Sequence, residues 1–141
     1  MVVKTFRGLL ADGGQDRIRL STIKGKVGYR IVKFQLIANE PGAQNYESVV
    51  TIQKTTFTPL ATIDLTDSDI LAVGFYAANT NSNTYPVSQV LIFDNEIFNQ
   101  DIYIGLQDLQ SQNMNYYIEL EVIPLDDAGA EYTTLKDMRS T

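Results

Sequence analysis

Two acidic strings are the strongest candidates for chemistry in this chain. Asp64-Leu65-Thr66-Asp67-Ser68-Asp69 sets three carboxylates in one short segment, and Asp94-Asn95-Glu96 sets two more in another. Clustered carboxylate oxygens are hard ligands of the kind calcium takes, and a pair of carboxylates from separate loops is the machinery of glycoside hydrolysis. The spacing serves neither purpose well. A helix-loop-helix calcium site alternates its ligands over about twelve residues, with a central Gly and a terminal Glu, and that order is missing. Among seventeen Asp and Glu no pair is singled out as an acid and its partner base. Thr66-Asp67-Ser68-Asp69 instead has the form of a helix start, a hydroxyl followed three residues later by a carboxylate, and predicts a short helical turn. With no His and no Cys, the chain lacks the commonest general base, the thiolate nucleophile and the usual ligands of structural zinc. No catalytic residue, cofactor or metal is expected.

The eight tyrosines offer a second kind of chemistry, stacking on sugars or packing against protein. Tyr116 falls on an expected core face, whereas Tyr103 and Tyr117 fall on wet faces and are the candidates for contact. The absence of Trp weakens a lectin-like reading. Asn79-Thr80-Asn81-Ser82-Asn83-Thr84-Tyr85 is long and polar enough for a binding tip, but an ordinary solvated connection is the favoured reading. Charge is the third feature. Residues 1–35 hold eight Lys and Arg against two Asp, while residues 36–141 hold three against fifteen acids. Arg17, Arg19, Lys24, Lys26, Arg30 and Lys33 resemble a phosphate footprint, but a pI near 4.5 and the lack of a recognised motif argue against nucleic acid. Pairing with outward carboxylates such as Glu119 and Glu121 is the better expectation. It would be cross-strand if the strands are neighbours, or would drive head-to-tail association if they lie on opposite sides.

The elements that must position these residues are strands. Tyr116, Ile118, Leu120 and Val122 alternate with Tyr117, Glu119 and Glu121, giving one core face and one wet face. Val32, Phe34, Leu36 and Ala38 alternate in the same way with Ile31, Lys33, Gln35 and Ile37. So do Ile102, Ile104 and Leu106 with Asp101, Tyr103, Gly105 and Gln107, and Ile18 and Leu20 with Arg17 and Arg19. Further strands are expected at about 2–10, 46–54, 70–78 and 86–94, separated by Gly, Asn, Asp and Pro turns. Seven or eight short strands at this spacing predict an all-β antiparallel sandwich of jelly-roll or Greek-key route over residues 1–125. Lys4, Arg7 and Asp12 break the apolar start, so no secretory signal is expected, and no apolar run is long enough for a membrane span.

Residues 126–141 read as a C-terminal arm. Tyr132, Leu135 and Met138 recur at i, i+3 and i+6, so a helix here would carry all three on one face and need a surface to lie on. The chain's own sandwich is the favoured surface, a neighbouring subunit the next, and a disordered arm the third alternative.

The ending Asn115-Tyr116-Tyr117-Ile118-Glu119-Leu120-Glu121-Val122, followed by an arm with Thr134-Leu135-Lys136-Asp137-Met138-Arg139, resembles small jelly-roll virion structural proteins of tailed phages of marine bacteria. Size, the all-β pattern and the lack of Cys and His agree with that resemblance. It implies a non-enzymatic capsid-associated or decoration protein located in the virion, otherwise a soluble one, with the sandwich as a rigid body and loops or arm as contacts. Expected partners are further copies of the chain or other virion proteins, without nucleic acid or membrane. The alternatives are a carbohydrate-binding or host-recognition sandwich and, third, a small hydrolase. The residues expected at contacts are Arg17, Arg19, Tyr103, Tyr117, Glu119, Glu121, Tyr132, Leu135 and Met138.

Overall fold

Strand alternation decides the architecture. The computed structural model describes residues 2–22, 24–79, 86–93 and 96–138. Eight strands run in order: β1 (Val2–Leu10), β2 (Gln15–Ile18), β3 (Val27–Ala38), β4 (Tyr46–Gln53), β5 (Ile70–Ala78), β6 (Val87–Ile92), β7 (Ile102–Asp108) and β8 (Met114–Pro124). One helix, α1 (Asp127–Met138), follows. Every strand pairing is antiparallel, and the strands form a small sheet β1-β8-β3 and a large sheet β2-β7-β4-β5-β6. This is the antiparallel sandwich that the alternation predicts. The first strand pairs with the last, the second with the seventh and the fourth with the fifth, the nested pairing of a jelly-roll route. β6 stays on β5 and lies near β3 without forming a ladder to it.

The inward-facing residues of both sheets make one core. Ile102, Ile104 and Leu106 of β7 and Met114, Ile118 and Leu120 of β8 are fully buried, with Val50 and Ile52 of β4 beside them. The sheets approach closely at Gly74, where a Cβ would lie 3.1 Å from Leu36 Cδ1 and 3.3 Å from Phe34 Cε2. The alternation of β3 is broken. A bulge between Ile31 and Lys33, against β8, inserts Val32 into β3, so Ile31 and Phe34 both turn inward. Ile31 is therefore buried, whereas Ile37, assigned to the same face by simple alternation, is 62% exposed.

The two outer faces differ. Residues 54–69, between β4 and β5, fold back as a strap over the large sheet. Phe57 and Pro59 cross Gly105 so closely that a Cβ there would come within 2.9 Å of both side chains. Gln15 Nε2 donates to the Phe57 carbonyl at 3.1 Å and ties the strap to β2. The helical turn expected at Thr66 does not form within this strap. The Asp64 carboxylate accepts from both the Thr66 amide (3.0 Å) and the Thr66 hydroxyl (2.6 Å), so the hydroxyl is directed backward instead of capping forward. Asp67 then accepts from the Asp69 amide (3.0 Å), giving a second side-chain-closed turn. On the small sheet, among the described residues, the outer face stays open, and Arg7, Leu9, Lys33, Gln35 and Ile37 are exposed.

Candidate interaction surfaces

α1 starts where Pro124 leaves β8 and Asp126 can cap. The Asp126 carboxylate accepts from the Gly129 amide (2.5 Å), its carbonyl accepts from Ala130 (2.7 Å), and Lys26 pairs with Asp127 at 2.8 Å. The helix then runs from the small sheet across the open end of the sandwich to the large sheet. It docks through Ala130, Thr133 and Asp137, which recur at i, i+3 and i+7 and are buried.

The surface that receives these residues is polar. Asn99, fully buried, donates its backbone amide to Asp137 Oδ2 (2.8 Å) and its side-chain amide to Thr134 Oγ1 (2.6 Å) and the Gly25 carbonyl (3.0 Å). Gly25 sits at φ 62°, and a Cβ there would meet both Thr134 Oγ1 (2.8 Å) and Asn99 Nδ2 (2.9 Å), so this contact requires glycine. Lys54, also buried, holds Glu96 at 2.6 Å and lies 3.7 Å from Asp137 Oδ1. Lys136 completes the cluster with the Ile97 carbonyl (2.7 Å) and Glu96 (3.3 Å). Burial pushes the Asp137 carboxyl up, against the pull of the Asn99 amide, Lys54 and Lys136. Burial acts on Glu96 too, but its bonds to Lys54 and Lys136 prevail and hold its carboxyl below the usual range.

A second carboxylate fixes the neighbouring loop. Asp101, at the start of β7, accepts from the Leu20 amide (2.7 Å), the Ser21 amide (2.9 Å) and Arg17 Nε (2.7 Å). Burial alone would raise its carboxyl, yet the Ser21 and Leu20 amides and the Arg17 guanidinium bring it down to about 2. On the small sheet the expected cross-strand pairing occurs as an Arg30–Glu121 bridge, with Lys33 opposite Glu119 in register. Arg17 takes Asp101, not Glu119 or Glu121, because β2 lies in the other sheet.

The expected contact residues therefore fall into three groups. Arg17 and Tyr103 are cross-strand neighbours on β2 and β7, and with Met138 they line a small cavity of about 170 Å³ where α1 ends. Arg19 is exposed just beyond β2. Tyr117, Glu119 and Glu121 lie on the outer face of the small sheet, and the Tyr117 hydroxyl donates to Glu119 at 2.6 Å. Tyr103 and Tyr117 thus sit on opposite faces of the sandwich and do not make one stacking platform. Tyr132, Leu135 and Met138 form the outer ridge of α1, 70%, 61% and 56% exposed. The helix docks on its own sandwich, but with the polar side and not the apolar side that its sequence offers.

Sequence reading passed over Lys54, Asn99, Asp101 and Asp137. Lys54 just after the apolar run of β4 and Asn99 two residues before Asp101 are weak local signals. Of the acidic strings, Asp64 and Asp67 close their own turns, and Glu96 belongs to the α1 anchor. Asp94 and Asn95, like Thr80 to Tyr85 of the polar loop, lie outside the described residues. Among the described residues there is no cluster of three His, Cys, Asp or Glu that could hold a metal ion, and no helix long and apolar enough to cross a membrane. Compared with known proteins, the chain matches no family model and no curated sequence.

Proposed function

We propose that the chain is a non-catalytic assembly subunit, of the virion structural type its sequence resembles, and that copies join through the outer ridge of α1. The inverted docking of this helix carries the reading. A helix lying on its own domain ordinarily buries its apolar stripe. Here Thr133 and Asp137 are buried, while Tyr132, Leu135 and Met138 face outward. Covering what stays exposed of these side chains, chiefly Tyr132 and Leu135, is worth up to roughly 1.5–3 kcal/mol each before ordering costs. The polar anchor fixes the helix so that the ridge is presented rigidly, which lowers the entropy lost on association. The displaced ionisable groups agree with this reading. Asp101 holds a loop, and Glu96 and Asp137 hold a helix. The glycan-binding alternative draws less support, since its two tyrosines lie on opposite faces.

Light scattering on a sizing column over a concentration series tests this proposal. The intact chain is expected above its single-chain mass of 15.8 kDa. Leu135→Glu is expected to return it to that mass without altering its unfolding midpoint, because Leu135 contributes little to the folded body. An intact chain that never exceeds one-chain mass removes self-assembly. Truncation at residue 126 is a poorer probe, because it also strips Asn99 of Thr134 and Asp137 and leaves Lys54 with Glu96 alone.

A further inference from the structure

A ridge needs a trough, and the small sheet carries one far from its own helix. Leu9 of β1 and Ile37 of β3 stand on either side of Asn115, their common neighbour on β8. With Arg7, Lys33 and Tyr117 they line an open trough of about 730 Å³. Neighbouring strands lie about 4.8 Å apart, so its apolar walls are separated by about 10 Å, enough to admit the side-chain ridge of a helix. Among the described residues, no carboxylate lines the trough. The nearest on β8, Glu119, stands opposite Lys33 and already accepts from Tyr117. The ridge of α1 has the opposite sign, for Glu131 shares a stripe with Leu135 and Met138 at i, i+4 and i+7.

We propose that this trough receives α1 of a second copy, head to tail, an inference that rests on the assembly reading above. The chain's own α1 does not reach it. That helix begins beside Lys26, at the start of β3, and runs away to Lys54 on the large sheet. Lys33 to Ile37 lie six to ten residues beyond Val27 along β3, about 20–33 Å at 3.3 Å per residue. Apolar matching and Glu131 set between Arg7 and Lys33 select a second copy, since both halves of the contact are present on every chain. Because ridge and trough are different surfaces, the contact is heterologous and propagates into a ring or a filament.

Two single variants test it. Leu135→Glu removes the ridge and Ile37→Glu the trough, and both positions are more than half exposed, so the core is untouched. Circular dichroism verifies the fold of each. Each variant alone should run at single-chain mass, and an equimolar mixture should give a 1:1 pair of twice that mass and nothing larger, because one intact ridge then meets one intact trough. If Ile37→Glu assembles like the intact chain while Leu135→Glu does not, the ridge docks elsewhere and the trough is overturned, with the assembly reading still standing. Two single-chain variants that fail to pair also overturn it. An intact chain that stays at one-chain mass overturns both proposals.

Discussion

The large sheet is roofed by its own chain, whereas among the described residues the small sheet is left bare. Over the large sheet, the missing side chain of Gly105 makes room for Phe57 and Pro59, and Gln15 fastens the strap by a backbone carbonyl. The small sheet instead shows two kinds of surface along its length. Near the start of β3, Arg30 with Glu121 and Lys33 with Glu119 make a charged, water-compatible face. Toward the other end, Leu9 and Ile37 join Lys33 in lining the trough and remain exposed. An antiparallel sheet needs only one buried face, so the fold itself does not require the second to be covered. What differs is where a substitution is felt. On the roofed face it should perturb folding, and on the bare face, if copies join as proposed, association.

The largest expected effect is on the roofed side. Gly105→Val should force side-chain atoms into Phe57 and Pro59 and cost about 3 kcal/mol in urea unfolding, the upper part of the usual overpacking range. A cost under about 0.5 kcal/mol, that of an ordinary surface change, would mean that the strap is not packed there.

Asp101→Ala should cost about 2 kcal/mol near neutral pH, from the lost amide bonds and the Arg17 bridge. Its native carboxyl titrates at about 2 against an ordinary 3.8, so its contribution is complete above about pH 4 and is lost as pH falls through 2. Denaturation curves for the two chains should therefore converge toward pH 2 and stay apart at pH 7. Convergence at high pH instead would break this assignment. The smallest effect belongs to the bare face, where Ile37→Glu should change unfolding by less than about 0.5 kcal/mol while abolishing assembly.

The strands were legible because period-two alternation is a local signal. The expected spans 2–10, 46–54 and 70–78 match β1, β4 and β5 to within a residue. Ile31 was misplaced because a bulge is set by the partner strand, and nothing within β3 announces that Val32 will be extra. The strap was not foreseen either, since a glycine at position 105 reads as an outward strand residue until Phe57 is known to cross it. For α1, the sequence shows the apolar stripe but not the surface awaiting it. Tyr132, Leu135 and Met138 were the natural docking choice. The waiting surface is made of Asn99, Lys54 and the Gly25 carbonyl, all far away in sequence, and it selects Thr134 and Asp137 instead. Arg17 and Tyr103 were correctly singled out by alternation as outward-facing, but their company with Met138 comes only from the fold.

If the apolar ridge of α1 holds copies together, with charge confined to its rim, association should survive salt. The Debye length falls from about 10 Å at 0.1 M to 3 Å at 1 M, which removes exposed charge pairs and leaves apolar contact intact or strengthened. The most direct measurement is the molar mass of the intact chain by light scattering at these two salt concentrations. A mass well above 15.8 kDa in both is the expected result. A single-chain mass in both, or an oligomer at low salt that falls apart at high salt, would contradict it.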